Sequence, residues 1–270
     1  MTAATGVSCF IHTLQLVIHD AILSQRTVSD IVAKCRKIVL HFNHSAIACT
    51  KLKTIQESLK LPVHKMIQDI VTRWNSTYYM LERLYEQRKA VTMYAAEHDI
   101  PTLTVYSWGI VENIIRVLKP FEEITKQARS DEELISFVIP AVTTLNSYLN
   151  KRQKDSGVQT LKDQLKQSLE KRFLKPTSGS SMLEQKHFTF ATLLDPRYKD
   201  HFLKDSALVK ENFVLELVRN DNNMHRTSAS GDAELPGNQE AQEHDKASKT
   251  LHDDIHEDIW QCFDEISKSK

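Results

Sequence analysis

The stretch Ile31-Val-Ala-Lys-Cys-Arg-Lys-Ile-Val-Leu-His-Phe42 shows a pattern that recurs through most of this 270-residue chain. Apolar residues fall at positions 31, 32, 35, 38, 39 and 42, with mostly polar residues between them. This spacing puts those side chains on one face of an α-helix. Thr27 or Ser29 is placed to cap the helix at its start. The stretch therefore predicts an amphipathic helix that packs against a core.

Other parts of the chain repeat this helical spacing. Glycine and proline are scarce, at 6 and 7 residues, so tight turns are few and an all-β sandwich or barrel is disfavoured. Pro62 is expected to end one helix and Pro120 to kink another. We therefore predict a mainly α fold. Further helical segments are expected near Phe10–Leu23 and Ser45–Leu59 and around Leu134, Val158 and Phe213. Two more are expected to begin at predicted caps, one within Asn75-Ser76-Thr77 and one at Ser107.

One short run competes with this helical pattern. Phe188–Leu194 (Phe-Thr-Phe-Ala-Thr-Leu-Leu) is the best strand candidate, and a buried helical turn is its alternative. A short strand is also an alternative near Val7. Two or three short strands are thus the most that we expect.

The composition changes after residue 219. Residues 220–249 contain only Met224 and Leu235 as large apolar residues, too few to offset the entropy cost of ordering. We therefore predict three parts: a helical region over residues 1–219, a disordered polar linker over 220–249, and a C-terminal helix over 250–270.

Charge and cysteine content limit the class of protein. Thirty-five basic residues balance thirty-five acidic ones, which argues against nucleic-acid binding through bulk charge alone. The four cysteines form no C-x-x-C pair, so free thiols in a reducing compartment are expected. No apolar run is long enough for a membrane span, and no secretory signal is recognisable.

Candidate chemical groups are few. Cys9-x-x-His12 is half of a zinc finger by type, but a structural zinc needs four ligands. A helix start with a buried cysteine and a buried, hydrogen-bonded histidine is the alternative that we favour, so no metal and no cofactor are predicted. Asp20, Asp69 and Asp195 lie in apolar contexts, where capping or ion pairing is favoured over catalysis.

Four motifs in order carry a family resemblance. They are Cys9-Phe-Ile-His12, then Asp69-Ile-Val-Thr-Arg73-Trp74, then Leu118-Lys-Pro-Phe-Glu-Glu-Ile, and finally Ala191-Thr-Leu-Leu-Asp-Pro-Arg-Tyr-Lys199. In this order and over about 190 residues, they resemble the hAT superfamily of DNA transposases. The likeness is strongest to its domesticated vertebrate members, the zinc finger BED domain-containing proteins.

The resemblance implies a fold and a cellular role. It places most of the chain in the helical insertion of an RNase H-like core, and it implies a nuclear protein connected with DNA or transcription. The family's two catalytic aspartates precede the C-x-x-H motif, and the eight residues before Cys9 hold neither Asp nor Glu. We therefore expect a catalytically inactive, transposase-derived interaction module rather than an enzyme. A fragment of an active transposase and a helical module that binds only proteins are the alternatives.

The resemblance also implies site residues. Trp74 matches a tryptophan that supports DNA intermediates by stacking, so Trp74 and Arg73 are the DNA-contact candidates, with packing as the favoured alternative for Trp74. Cys9, His12 and Asp69 are motif positions without a catalytic role. Lys34, Arg36 and Lys37 form either a phosphate-contacting face or a solvated one.

Weak, salt-sensitive DNA binding is expected, together with a homodimer or a protein partner. An exposed apolar patch along Phe10–Leu23 is the expected surface for that association.

Overall fold

The computed structural model describes residues 9–130, 135–151, 157–174, 181, 184–224 and 253–268. In these ranges the chain forms eleven α-helices and no β-strand, which confirms the predicted mainly α fold. None of the described helices is both long enough and apolar enough to cross a membrane. The helices are α1 (Phe10–Ser24), α2 (Arg26–His44), α3 (Ala46–Ser58), α4 (Trp74–Glu86), α5 (Arg88–Glu97), α6 (Val105–Gln127), α7 (Val138–Asn150), α8 (Gln159–Leu169), α9 (Lys186–Leu194), α10 (Ser206–Met224) and α11 (Asp253–Lys268).

Helix α2 is the amphipathic helix predicted from the opening stretch. It begins at Arg26 after Gln25, whose side chain forms no capping hydrogen bond, so the prediction of a Thr27 or Ser29 cap is wrong. Burial raises the pKa of the Cys35 thiol to about 12, which leaves it unreactive. The apolar stripe is buried throughout, at Ile31, Val32, Cys35, Ile38, Val39 and Phe42.

Helix α1 lies inside the structure rather than on its surface. It packs against α8 and against the five-residue π turn Glu170–Leu174 that follows α8. The Phe10 and Phe173 rings meet edge to face at 5.7 Å. Leu14, Val17 and Ile18 have no exposed surface. The predicted apolar patch along Phe10–Leu23 is therefore wrong, because α8 covers this helix.

Helices α6 and α7 pack against each other around an internal proline. Helix α6 is capped by Thr104, whose hydroxyl accepts a hydrogen bond from the Ser107 amide at 3.1 Å, so the cap lies three residues before the predicted one. Pro120 has no N–H to donate to the Arg116 carbonyl. The Tyr148 hydroxyl of α7 donates to that carbonyl instead, at 3.3 Å.

The segment between α3 and α4 is irregular but tied down. Lys60 adopts a left-handed φ of 55°, and its amide donates to the Glu57 carbonyl at 3.1 Å. The Leu61 amide reaches the Gln56 carbonyl at 2.9 Å, which completes the usual hydrogen-bond pattern of a helix C-terminus. The buried Gln56 side chain also donates to Gln87 at 3.0 Å. The chain thus leaves α3 in a fixed direction.

The strand proposed for Phe188–Leu194 is wrong, because these residues lie in helix α9. The run is too short for periodicity to separate strand from helix. The helical form buries Phe188 and Thr192, which are four residues apart and so lie on one side of the helix. It also lets the Thr192 hydroxyl donate a hydrogen bond to the Ser136 carbonyl at 3.0 Å.

Two further helices are described after α9, and the predicted division of the chain into three parts stays a prediction. Helix α10 continues to Met224, five residues into the predicted linker, and residues 225–252 lie outside the described residues. Helix α11 packs on α6 and α7, with Ile259 and Cys262 fully buried. A salt bridge of 3.1 Å joins Lys151 to Glu265 of α11.

Candidate functional site

Residues Asp69–Arg73, here called the 69–73 loop, form the best-defined irregular segment on the surface. Asp69 anchors its beginning, with a side chain that is only 1% exposed. The Arg36 guanidinium of α2 donates to the Asp69 carboxylate at 2.6 Å, and the Thr77 hydroxyl of α4 donates to the same oxygen at 3.1 Å. A buried carboxylate needs such partners because desolvation of an unpaired charge is costly.

Ser76 fastens the rest of the loop to the first turn of α4. Its hydroxyl accepts from the Ile70 amide at 2.7 Å and lies 2.6 Å from the Arg73 carbonyl and 2.9 Å from the Ile70 carbonyl. Helix α4 itself begins at Trp74 with no side-chain cap, so the cap predicted within Asn75-Ser76-Thr77 is wrong. Ser76 braces the loop instead of capping the helix.

Helix α1 supplies the third anchor. The Gln15 side-chain amide donates to the Thr72 carbonyl. Gln15 lies one turn beyond the C-x-x-H motif, so the structure brings the helix of that motif against the loop of the second motif. Three helices, α1, α2 and α4, therefore hold the 69–73 loop.

After the buried Asp69, the remaining side chains of the loop are exposed, whereas the tryptophan that follows the loop is buried. Ile70 and Val71 are 51% and 60% exposed, and Arg73 is exposed as well. Trp74 is 3% exposed and meets the Tyr78 ring edge to face at 6.4 Å. The two DNA-contact candidates are therefore separated: the Arg73 charge is available to a ligand, whereas the indole has no open face for a base.

The C-x-x-H motif marks the start of α1. Cys9 immediately precedes the helix, which confirms the expected helix start. Cys9 and His12 are both exposed, so the expected burial of these two side chains is wrong. The Thr13 hydroxyl donates to the Cys9 carbonyl at 3.1 Å. Among the residues that the structure describes, no three histidine, cysteine or acidic side chains are grouped so that they could hold a metal ion.

The three aspartates in apolar contexts each have their own basic partner. Asp20 pairs with Arg172, Asp69 with Arg36, and Asp195 with Arg197 at 2.9 Å. Hydrogen bonds from Arg197, together with one from Ser136, outweigh desolvation and lower the pKa of Asp195 to about 2. These contacts are those of structural ion pairs.

Sequence reasoning missed the residues that position the loop. Gln15 had no assigned role, Ser76 and Thr77 were expected only as part of a helix cap, and Arg36 appeared only as part of a basic cluster. The available signal was the placement of Asp69 in an apolar context, which required a partner without saying which one. Arg36 and Asp69 are 33 residues apart in the sequence, so local spacing could not predict that they form a pair.

The part of the chain that contains the 69–73 loop matches a known protein family. The family model "ZBED1 RNase-like helical domain" matches residues 7–117, which contain all of the loop and its anchors. Human zinc finger BED domain-containing protein 4 is 33% identical over 226 residues, which are 83% of this chain and 19% of that protein. The chain belongs to the hAT-derived proteins of the zinc finger BED type. Mouse zinc finger BED domain-containing protein 6 is 31% identical over 198 residues, 73% of this chain and 20% of that protein.

A more distant relative is fungal. "Putative transcriptional regulator tpeD" of Talaromyces stipitatus is 30% identical over 118 residues, which are 43% of this BED-type chain and 13% of that protein. The chain spans about a fifth of the length of the human and mouse BED-type relatives named above.

Proposed function

We propose that this chain is the helical interaction module of a transposase-derived nuclear regulator, and that the 69–73 loop contacts DNA. The BED-type relatives and the fungal protein named as a transcriptional regulator support a role in transcription and a nuclear location. The module binds and positions other molecules and does not cut DNA. Metal-dependent strand cleavage needs carboxylates that converge on metal ions, and Asp20, Asp69 and Asp195 are each paired with an arginine.

The observation that carries the DNA role is the rigid presentation of Arg73. Its backbone is fixed through Ser76, and the neighbouring carbonyl of Thr72 is held by Gln15. A cation on a fixed loop loses little conformational entropy when it binds a phosphate. Lys34 and Lys37, both exposed on α2, lie three residues apart and so on one side of that helix. They flank Arg36, whose charge is already used by Asp69.

Trp74 supports this surface from beneath. Its indole fills the core under the loop, so we assign it to packing and assign the DNA contact to Arg73.

DNA binding through about three cations, Arg73, Lys34 and Lys37, is expected to be weak. The slope of log affinity against log salt concentration is expected to be near −3 on duplex DNA, because each neutralised phosphate contributes about −0.9.

Fluorescence anisotropy with a DNA hairpin and a matched duplex, measured across a salt series, tests the proposal. Arg73→Gln is expected to lower the affinity several-fold and to reduce the salt slope by about one. Lys89→Gln, which removes an exposed charge from α5, is the matched control and is expected to leave the affinity unchanged. The hairpin is expected to stay intact when Mg²⁺ or Mn²⁺ is added.

The alternative is a module that binds only proteins. The exposure of Ile70 and Val71 beside Arg73 favours it, because apolar side chains suit a protein surface better than a phosphate. If the anisotropy of the labelled DNA does not change at low salt, this alternative is supported. If the hairpin is cleaved, the chain is instead part of an active transposase.

A further inference from the structure

A cavity of about 280 Å³ lies between the end of α2, one side of α3 and residues 63–66 of the segment that follows α3. Three of the side chains that line it, Phe42, Leu52 and Met66, are apolar and buried. Sites for small molecules are usually concave and mostly apolar, with volumes from about 300 Å³ upwards. The cavity therefore has room for a short apolar body rather than for a large cofactor.

Hydrogen bonds fix the walls of the cavity before any ligand binds. The buried Gln56 side chain donates to the His64 carbonyl at 2.9 Å and to the Gln87 side chain at 3.0 Å. Gln87 in turn donates to the Pro62 carbonyl at 3.0 Å, and the His64 ring lies 3.0 Å from the Glu86 carboxylate. A site whose walls are already ordered loses little conformational entropy on binding.

Two lysines give the cavity its charge. Lys53 of α3 and Lys65 line it and are exposed, whereas no acidic residue is among the described residues that line it. Lys53 lies 3.8 Å from Glu57, but the two side chains are 62% and 56% exposed. Such an exposed pair is weak, so the Lys53 charge is available to a ligand. In a chain with a formal net charge of zero, this local excess of positive charge favours an anion.

We propose that the cavity binds a small amphiphilic carboxylate of the alkyl carboxylate class. The alkyl chain lies against Phe42, Leu52 and Met66, where burial of apolar surface supplies the affinity. The carboxylate offers one oxygen to each ammonium group of Lys53 and Lys65, and charge-assisted hydrogen bonds of this kind fix the orientation of a ligand. The site goes beyond the DNA role and is independent of it, since none of the 69–73 loop lines the cavity.

The cysteines allow binding to be measured site by site. Cys49 lines the cavity and is partly exposed, Cys9 is exposed outside it, and Cys35 and Cys262 are buried. The full 270-residue chain is alkylated with N-ethylmaleimide, and the labelling of each cysteine is followed by mass spectrometry. Decanoate, kept below its micelle concentration, is expected to slow alkylation of Cys49 several-fold and to leave that of Cys9 unchanged. The two buried thiols are expected to stay unlabelled, which shows that decanoate does not unfold the chain.

Ligand and sequence controls separate the charge from the apolar body. Decanol has the same alkyl chain without the charge, and acetate has the charge without the chain, so both are expected to protect Cys49 much less than decanoate. Lys53→Gln and Lys65→Gln are each expected to weaken decanoate binding about tenfold, as for the loss of one hydrogen bond to a charged group. Lys51→Gln is the matched control, because Lys51 is also exposed on α3 but contacts His98 instead of lining the cavity. It is expected to bind decanoate like the wild type.

Three results would overturn the proposal. The first is unchanged alkylation of Cys49 in the presence of decanoate. The second is equal protection by decanoate and decanol, and the third is a Lys53→Gln or Lys65→Gln protein that binds decanoate as tightly as Lys51→Gln does. Arg73→Gln is expected to keep its decanoate binding, so failure of this site and failure of the DNA role are distinguishable.

Discussion

The Arg36 guanidinium donates to the Asp69 carboxylate across 2.6 Å and thereby joins the middle of α2 to the start of the 69–73 loop. The Asp69 side chain is 1% exposed and the Arg36 side chain 32% exposed. The pair is thus largely buried, and removal of Arg36 alone would leave a buried carboxylate without a neutralising charge.

Removal of Arg36 is expected to destabilise the fold. Arg36→Met is predicted to lower the free energy of unfolding by about 2–4 kcal/mol, because it strands the buried Asp69 charge. Adding Asp69→Asn removes that charge and is expected to recover part of the loss. Urea unfolding measures both. Arg26→Met breaks an exposed pair of 3.8 Å with Asp30 and is expected to cost less than about 0.5 kcal/mol; equal losses for the two arginines would contradict the structure.

Trp74 is expected to contribute to stability rather than to direct DNA stacking. Trp74→Ala is predicted to lower the free energy of unfolding by about 3–5 kcal/mol, as for other buried aromatic side chains. Tyr106→Ala, at a residue 69% exposed, is the control and is expected to change it little. Thermal and urea unfolding measure the effect. A stable Trp74→Ala protein that loses only its hairpin affinity would instead support the stacking role.

The Asp195 ion pair is expected to give stability a specific pH dependence. Its pKa lies below the ordinary 3.8, at about 2, chiefly because Arg197 hydrogen bonds to the carboxylate. The folded state therefore binds this proton less tightly than the unfolded state, so the contribution is complete above pH 4 and is lost as pH falls towards 2.

Comparison with an uncharged variant isolates that contribution. Asp195→Asn is expected to be less stable than the wild type by about 1–3 kcal/mol at pH 6, and the difference is expected to shrink between pH 4 and pH 2. Asp264→Asn, in an exposed pair with Lys268, is expected to show no such trend. A difference that stays constant with pH would mean that Asp195 is not held as a charged group.

Lys60 occupies a position that glycine would fill better. Its φ of 55° is left-handed, and a side chain there is strained whereas glycine is not. Lys60→Gly is predicted to raise the free energy of unfolding by about 0.5–1 kcal/mol. Lys53→Gly, inside α3, is expected to lower it by about 1 kcal/mol. Differential scanning calorimetry distinguishes the two, and a destabilised Lys60→Gly protein would show that the lysine side chain forms a needed contact.

Helical periodicity predicted the fold class because it reports which side of a helix is buried. The α2 stripe from Ile31 to Phe42 is an example, since every position of that stripe is buried. Helix starts were harder to predict. Ser107 has the right chemistry for a cap, but Thr104 performs that role, because several hydroxyl residues near one helix start compete and the tertiary packing chooses among them.

Long-range partners were beyond sequence reasoning. Nothing in the spacing of Phe10–Leu23 indicates that α8 covers α1, so the expected surface patch proved to be core. Likewise, the sequence around Trp74 does not show whether its ring faces a ligand or packs against Tyr78, as the structure has it. Those facts depend on how distant helices meet, which local pattern does not encode.

Pro120 and Tyr148 also limit how this domain can move. Sliding of packed helices is a common form of domain motion. In α6, however, the Arg116 carbonyl lacks its helical partner because Pro120 has no N–H, and the Tyr148 hydroxyl of α7 donates a hydrogen bond to this carbonyl. A slip of one turn, about 5.4 Å, would carry the hydroxyl to carbonyls already bonded within the helix. Helices α6 and α7 are therefore expected to rotate together as one lever when a neighbour binds, with no shear between them.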